Sequence, residues 1–372
     1  MTTESRGIPP TTRLAPDVAD LRAVMRRAAN HEVATPSILT VYLDNRPESH
    51  GERPYARAEQ VTVREELTRI IDEMPAHDPA RLSLEDDRRR FFACLDEVPR
   101  DVEGVVVFAA AADDLWETAA LAAPFATDVV AGTYADLYQL AVAADAQIGS
   151  VVAIADSSSC RLFTHRRGRL RELGGPEDDP EEHRRHDQGG WSQAQFQRHI
   201  DEQDRRFTER VANEITRIAD REHATAIVVA ADERTSSVLV PQLPDRTRAI
   251  LIDIRRISMH ATIDEVAAEV GPLLDAVAAD RAADAAHRAL AGHTAHELGI
   301  AGVEPTRRIL AAGAVDTLVI DEAAARGLDR WVRADLVRAA VATDATIRFP
   351  RDHEGLRGAG GVGATLRYRP GP

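Results

Sequence analysis

Three short runs decide how this chain is read: Val151-Val152-Ala153-Ile154-Ala155, Cys160-Arg161-Leu162-Phe163-Thr164 and Arg169-Leu170-Arg171-Glu172-Leu173. Each has the length and residue types of a strand. The turn signals Asp156-Ser157-Ser158-Ser159 and Arg167-Gly168 separate them, so the three form an antiparallel meander. A long polar helix follows over about 192–221, then the buried run Ala226-Ile227-Val228-Val229-Ala230. A helix near 233–240 and a strand over Ala249-Ile250-Leu251-Ile252-Asp253 complete the unit.

Three hairpin strands followed by helix–strand–helix–strand is an order compatible with a ribonuclease H-like mixed sheet. Upstream, Val18, Leu21, Met25 and Ala28 mark an amphipathic helix, and Ser37 to Leu43 alternates as a strand. Charged helices over about 55–74 and 78–97 carry the stripes Val63, Leu67, Ile70, Ile71 and Phe91, Phe92, Leu95. Gly104 to Phe108, Leu115 to Leu121 and Thr127 to Val130 read as strands, and Tyr134 to Ala144 as a helix. Downstream, an alanine-rich helix runs from Asp264 to about Leu290. Helices over Val303 to Ala311 and Asp329 to Ala342 alternate with strands at Asp316 to Ile320 and Ala345 to Phe349, and Gly363 to Tyr368 closes the chain as a last strand.

The fold class is therefore α/β in three domains. Residues 1–15 are expected to be a disordered tail, 16–147 an N-terminal α/β domain and 148–262 the ribonuclease H-like middle domain. Residues 263–372 are a connecting helix and a C-terminal α/β/α sandwich.

Composition narrows the function. The chain has 372 residues, 44% of them apolar, and no stretch of the roughly 20 consecutive apolar residues a membrane helix needs. Met1 to Pro10 lacks an apolar signal core, and Cys94 and Cys160 form no metal or redox spacing, so a reduced cytoplasmic protein is expected. All 46 basic residues are arginine, which excludes Schiff-base chemistry, a P-loop lysine and a kinase-type lysine. A net charge of −15 argues against general nucleic-acid affinity while leaving room for a local arginine patch, such as His165 to Arg171. That cluster equally fits a hairpin tip with solvated charges.

Between the meander and the long helix lies Gly189-Gly190-Trp191-Ser192-Gln193, preceded by an acidic, histidine-bearing run from Pro176 to Gln188. A glycine pair lets backbone approach a ligand closely, and a glutamine beside it offers two kinds of N–H and a carbonyl to one small target. The same letters fit a surface loop with Ser192 as a helix N-cap. His183 and His186 lack the second-shell partners of a metal site, so no metal and no cofactor are expected. Arg184 and Arg185 suit phosphate better. Gly358-Ala359-Gly360-Gly361-Val362-Gly363 matches a dinucleotide fingerprint by letter, but a β-like segment follows it where a helix is required, so it is read as a tight turn. Ser157, Ser158 and Ser159 lack the strand–turn–helix context of a serine nucleophile. Asp156 and Asp253 alone cannot make the carboxylate cluster of a ribonuclease H centre.

From about Val41 to Tyr368 the sequence resembles the bacterial relatives of the archaeal and eukaryotic class-one release factors and of Pelota. That group includes quality-control peptidyl-tRNA hydrolases and the hibernation factor Balon. The resemblance is strongest over Gly189 to Arg198, and next over Gly313 to Ile320 with Gly361 to Tyr368. It implies a middle domain that carries a glycine–glutamine loop to the peptidyl-transferase centre, and a third domain resembling a ribosomal-protein fold that meets a translational GTPase or the ribosome. By position, Gly189, Gly190, Ser192 and Gln193 would be the catalytic residues, and Arg184, Arg185, Trp191, Gln195 and Arg198 would bind RNA. Trp191 also fits a hydrophobic staple. Trp191-Ser192 separates the glycines from the glutamine, as a serine does in the quality-control branch, and the lack of lysine argues against codon-specific termination. The expected partners are the A site of the large ribosomal subunit and peptidyl-tRNA. The expected activity is hydrolysis or 3′-end cleavage of peptidyl-tRNA in rescue of stalled ribosomes; the alternative is a non-enzymatic, A-site-binding hibernation factor.

Overall fold

The computed structural model describes residues 21–46, 57–95, 98, 102–166, 169–176 and 193–370. They form three sheets, distributed over two compact units: residues 1–145 with 281–372, and residues 146–280. The class is mixed α/β, as expected. The tail over 1–15 lies outside the described residues.

The first sheet holds β1 (Ile38–Asp44), β2 (Gly104–Ala110), β3 (Leu115–Leu121) and β4 (Asp128–Gly132) in the order β3-β2-β1-β4, all antiparallel. Strand alternation sends Leu39, Val41 and Leu43 to one face, where helices α2 (Arg57–Asp72) and α3 (Pro79–Leu95) cover them with Val63, Leu67, Leu84 and Phe91. Ile38, Tyr42, Val106 and Phe108 face the other way, toward α1 (Leu21–Ala29) and α4 (Tyr138–Ala146). Helix α4 starts four residues later than its apolar pattern suggests. Buried Asp136 caps it by accepting from the Tyr138 N–H at 3.1 Å. The Asp136 N–H and C=O are spent on the Thr40 and Tyr42 hydroxyls of β1, which leaves the preceding residues no helical ladder.

The middle sheet, in the unit of residues 146–280, contains β5 (Ser150–Ala155), β6 (Cys160–Arg166), β7 (Arg169–Gly174), β8 (Ala226–Ala230) and β9 (Leu251–Arg255), in the order β7-β6-β5-β8-β9. β5, β6 and β7 are antiparallel neighbours, while β8 and β9 run parallel to β5, the mixed order read from the sequence. Val151, Ala153 and Ala155 face α5 (Gln193–Arg221) and α6 (Glu233–Gln242), whereas Val152 and Ile154 face Val266, Val270 and Leu274 of α7 (Ile263–Thr294). With both faces covered, β5 and β8 are buried throughout, and apolar apart from Ser150, rather than alternating. β9 begins two residues later than expected because Asp245–Arg248 forms a helical turn closed by the Ala249 and Ile250 N–H groups.

The third sheet has β10 (Gly299–Ala301), β11 (Val315–Ile320), β12 (Thr346–Arg348) and β13 (Val362–Leu366), ordered β10-β13-β11-β12. Val319 packs on one face with Ala285, Ala286 and Ala289 of α7. Leu318 and Ile320 face α8 (Val303–Ala311) and α9 (Arg330–Ala342), which makes the α/β/α layering. Gly360 and Gly361 sit at φ +76° and +79°, forming the tight turn that leads directly into β13. This face and the α1/α4 face of the first sheet belong to one continuous apolar cluster. The contact is close: a Cβ on Gly132 of β4 would lie 2.1 Å from the Trp331 ring of α9.

Candidate functional site

Gly189, Gly190, Trp191, Ser192, Arg184 and Arg185, with His183 and His186, lie outside the described residues. Gln193, Gln195 and Arg198 fall on the first turns of α5, where the backbone alone is described. The structure therefore defines the frame from which the predicted site is hung, at both of its ends.

The entry end is built by Gly174, Gly175 and Pro176. Gly174 closes β7 at φ +74°, a left-handed conformation in which a side chain would be strained. A Cβ on Gly175 would lie 2.1 Å from the Cys160 carbonyl oxygen, so only glycine lets the chain cross the start of β6 this closely. The Cys160 N–H then donates to the Pro176 carbonyl at 3.1 Å. Burial pushes the Cys160 thiol up to about 12, so it is packing material and no nucleophile. Sequence reasoning started the motif at Pro176 and missed this anchor. The available signal was two adjacent glycines at a strand end.

The exit end is α5. Phe207, Val211, Ala212, Ile215 and Ile218 pin its C-terminal half to the sheet. Gln193 lies roughly 21 Å of axial rise before Phe207, at about 1.5 Å per residue. Two lateral ties brace the helix: Arg234 of α6 pairs with Asp204 at 2.6 Å, and the Gln242 amide donates to the Thr208 hydroxyl at 2.7 Å. Glu202 is held down to about 2 by hydrogen bonds from Arg205 and Arg206. The described part of this helix begins at Gln193.

The meander beneath is braced. Arg161 of β6 makes a two-pronged pair with Glu172 of β7 at 2.7 and 2.8 Å, and its remaining N–H groups donate to the Met259 and Ala261 carbonyls. At the hairpin, Arg169 and Arg171 project from the exposed edge of β7, while burial pushes His165 below its ordinary value. Arg167 and Gly168 lie outside the described residues. The two carboxylates considered for a nuclease are engaged elsewhere. Burial raises Asp156, but hydrogen bonds from the Ser158 and Ser159 N–H groups outweigh it and hold the group low, and Asp253 pairs with Arg255 at 2.8 Å. Among the described residues, no three His, Cys, Asp or Glu side chains gather as a metal site, and no helix is long and apolar enough to cross a membrane.

Residues 136–272 match the model of the bacterial archaeo-eukaryotic release factor family 10. No curated protein matches the chain. Among solved structures, the chain is similar to an archaeal translation termination factor, aRF1, at 17% identity over 94% of this chain and 97% of that one, with a TM-score of 0.27. An archaeal Pelota, described as ribosome-bound with ABCE1, aligns at 15% identity over 94% of each chain with a TM-score of 0.45. Dom34 of S. cerevisiae, a translation termination-like factor, aligns at 8% identity over 71% of this chain and 81% of that one, with a TM-score of 0.43. The family match encloses the whole middle sheet, its anchor and α5, so the expected resemblance to the bacterial archaeo-eukaryotic release factors is borne out over residues 136–272.

Proposed function

We propose that the chain is a ribosome-associated, release-factor-like protein that acts on peptidyl-tRNA in the rescue or quality control of stalled ribosomes. The observation that carries this reading is the position of Gly189 to Gln193 inside the family match, at the start of the described helix Gln193–Arg221. Breaking a peptidyl-tRNA ester requires a positioned water, a donor for the developing oxyanion and shelter from bulk solvent. Gly189 and Gly190 carry no side chains to hold the backbone away from the tRNA 3′ end. The Gln193 N–H and side-chain amide orient the water or receive the oxyanion, a role in which one lost donor costs about 2.7–4 kcal/mol. In this reading Ser192 supports that glutamine. Trp191 stacks on a terminal base, worth roughly 1–3 kcal/mol, and Arg184, Arg185, Gln195 and Arg198 take phosphates and sugars.

In this reading the protein works in the cytoplasm and enters the A site of the large subunit, and residues 263–372 present the surface for a translational GTPase. No group in the proposed site needs to be a strong base, because the tRNA and the ribosome supply the proton path. The test is turnover of peptidyl-tRNA on ribosome–nascent-chain complexes by wild type and Gln193→Ala. A loss of about 10²–10³ in rate is expected for one missing oxyanion donor. Unchanged turnover in the variant overturns the catalytic role of Gln193. Gel analysis of the released tRNA separates ester hydrolysis, which leaves the 3′ end whole, from cleavage within the 3′ tail. Wild-type protein that cosediments with idle ribosomes and releases nothing makes it a hibernation factor instead.

A further inference from the structure

Within the unit of residues 1–145 and 281–372, a cavity of about 200 Å³ opens between α1, α4, the end of α9 and the edge strand β12. At about 30 Å³ per water this is space for roughly seven waters, the size of a small metabolite and well below that of a nucleotide. Its walls are apolar at Met25, Ala141 and Ile347. Its charged lining is three arginines, Arg22, Arg26 and Arg348, against two carboxylates, Asp145 and Asp344. In a chain with a formal charge of −15, that is a local surplus of positive charge in a concave place.

The two carboxylates are not equivalent. Asp145 is committed: one oxygen pairs with Arg348 at 2.5 Å, and the other accepts the Phe349 N–H at 2.8 Å. Asp344 is 69% exposed and holds only the half-exposed Arg26, a pair that water already competes for. Arg22 has no acidic partner among the described residues and stands one helical turn before Arg26, so both guanidiniums rise from the same face of α1. Behind Asp145 sits Arg281, whose guanidinium is pushed down by burial and then by the charge of Arg348.

We propose that this cavity binds a small phosphate monoester, its phosphate taken by Arg22 and Arg26 and its carbon body laid on Met25, Ala141 and Ile347. A phosphate presents three acceptor oxygens, and two guanidinium forks at i, i+4 spacing match them with paired N–H donors. Binding releases Asp344 from Arg26 to solvent and leaves the Arg348–Asp145 floor in place. It would also cross-link α1 to the end of the third sheet. This inference does not depend on the ribosomal reading.

The test is isothermal titration of the full-length protein with glycerol 3-phosphate, inorganic phosphate, succinate and glycerol at one ionic strength. Glycerol 3-phosphate should bind saturably with a Kd at or below about 1 mM, and glycerol should not bind. The Arg22→Ala/Arg26→Ala variant should weaken binding by about tenfold or more. Both side chains are exposed, so the variant should fold like wild type. Ala144→Leu, which narrows the cavity and leaves every charge in place, should weaken it as well. No saturable binding, equal binding of succinate, or binding indifferent to both variants would overturn the proposal.

Discussion

Replacing Gly175 with alanine tests whether the entry end of the proposed site is a fixed anchor. The new Cβ would stand 2.1 Å from the Cys160 carbonyl oxygen and 2.7 Å from its carbonyl carbon. Ordinary contact begins near 3.4 Å, so the strands must part by about 1.3 Å at this point. Nothing soft can give way, because both atoms are backbone of a strand paired on its two sides. Overpacking of that kind costs about 1–3 kcal/mol. Parting the strands also breaks the Cys160 N–H bond to Pro176, whose net worth is about 0.5–1.5 kcal/mol. The expected loss is therefore about 2–4 kcal/mol in urea unfolding followed by circular dichroism. Gly174→Ala is the control. It meets open space but keeps φ at +74°, so it should cost about 1–2 kcal/mol through backbone strain and leave the anchor intact. Under conditions where both variants are folded, Gly175→Ala should lower peptidyl-tRNA turnover more than Gly174→Ala. A Gly175→Ala protein within about 0.5 kcal/mol of wild type would refute the anchor.

Two further outcomes are expected. Phe207 is fully buried under the sheet, so Phe207→Ala should cost about 3–5 kcal/mol and speed amide exchange along α5, as read by hydrogen-exchange mass spectrometry; exchange unchanged in α5 would show that the helix is held otherwise. Asp87 is buried, with one oxygen accepting the Ala111 N–H and the other unpartnered, and burial pushes it from 3.8 to about 7. A carboxyl raised in the folded state holds its proton there after the unfolded chain has lost it. Its contribution is thus full below pH 3.8 and fades as pH rises to about 7, by about 4 kcal/mol in all at 1.36 kcal/mol per unit. Asp87→Asn should remove that fall, so its stability relative to wild type should improve between pH 4 and pH 8; parallel pH profiles would contradict the shift.

Local pattern was enough to find the middle sheet because each of its strands is a run with its own turn signals. The order of elements then left few ways to arrange them. It was enough, too, to read Gly358 to Gly363 as a turn. What pattern could not supply was any fact that depends on a distant neighbour. The late start of α4 follows from Thr40 and Tyr42, nearly a hundred positions upstream of Asp136. The three residues of β10 carry no strand signal of their own and are extended because β13 pairs with them. The joint core of the first and third sheets rests on contacts such as Trp331 against Gly132. Periodicity reveals which face of a strand is apolar and is silent about what covers it. The predicted site is a mixed case: Gln193 lies on the helix read over about 192–221, and Ser192 and the glycines ahead of it lie outside the described residues.

The two ends of the frame give a way to separate positioning from chemistry. The entry end is held close, by Gly175 and Pro176 on the first residue of β6. At the exit end, the described core contacts of α5 include Phe207, roughly 21 Å of helical rise after Gln193 at about 1.5 Å per residue. If Gly175 and Phe207 matter only because they present Gln193, their effects on turnover require that glutamine to be there. Combined with Gln193→Ala, either substitution should then add nothing further to the loss in rate, as happens for residues that act as a unit. Losses that multiply would instead mean that the frame serves binding on its own account, through Arg198 or the arginines before the glycines. The stability cost of Gly175→Ala should be the same with or without Gln193, because folding and turnover draw on different contacts of the same loop base. A frame that stabilises the domain in either case, and accelerates the reaction only through one glutamine, is what a carrier for a catalytic tip requires.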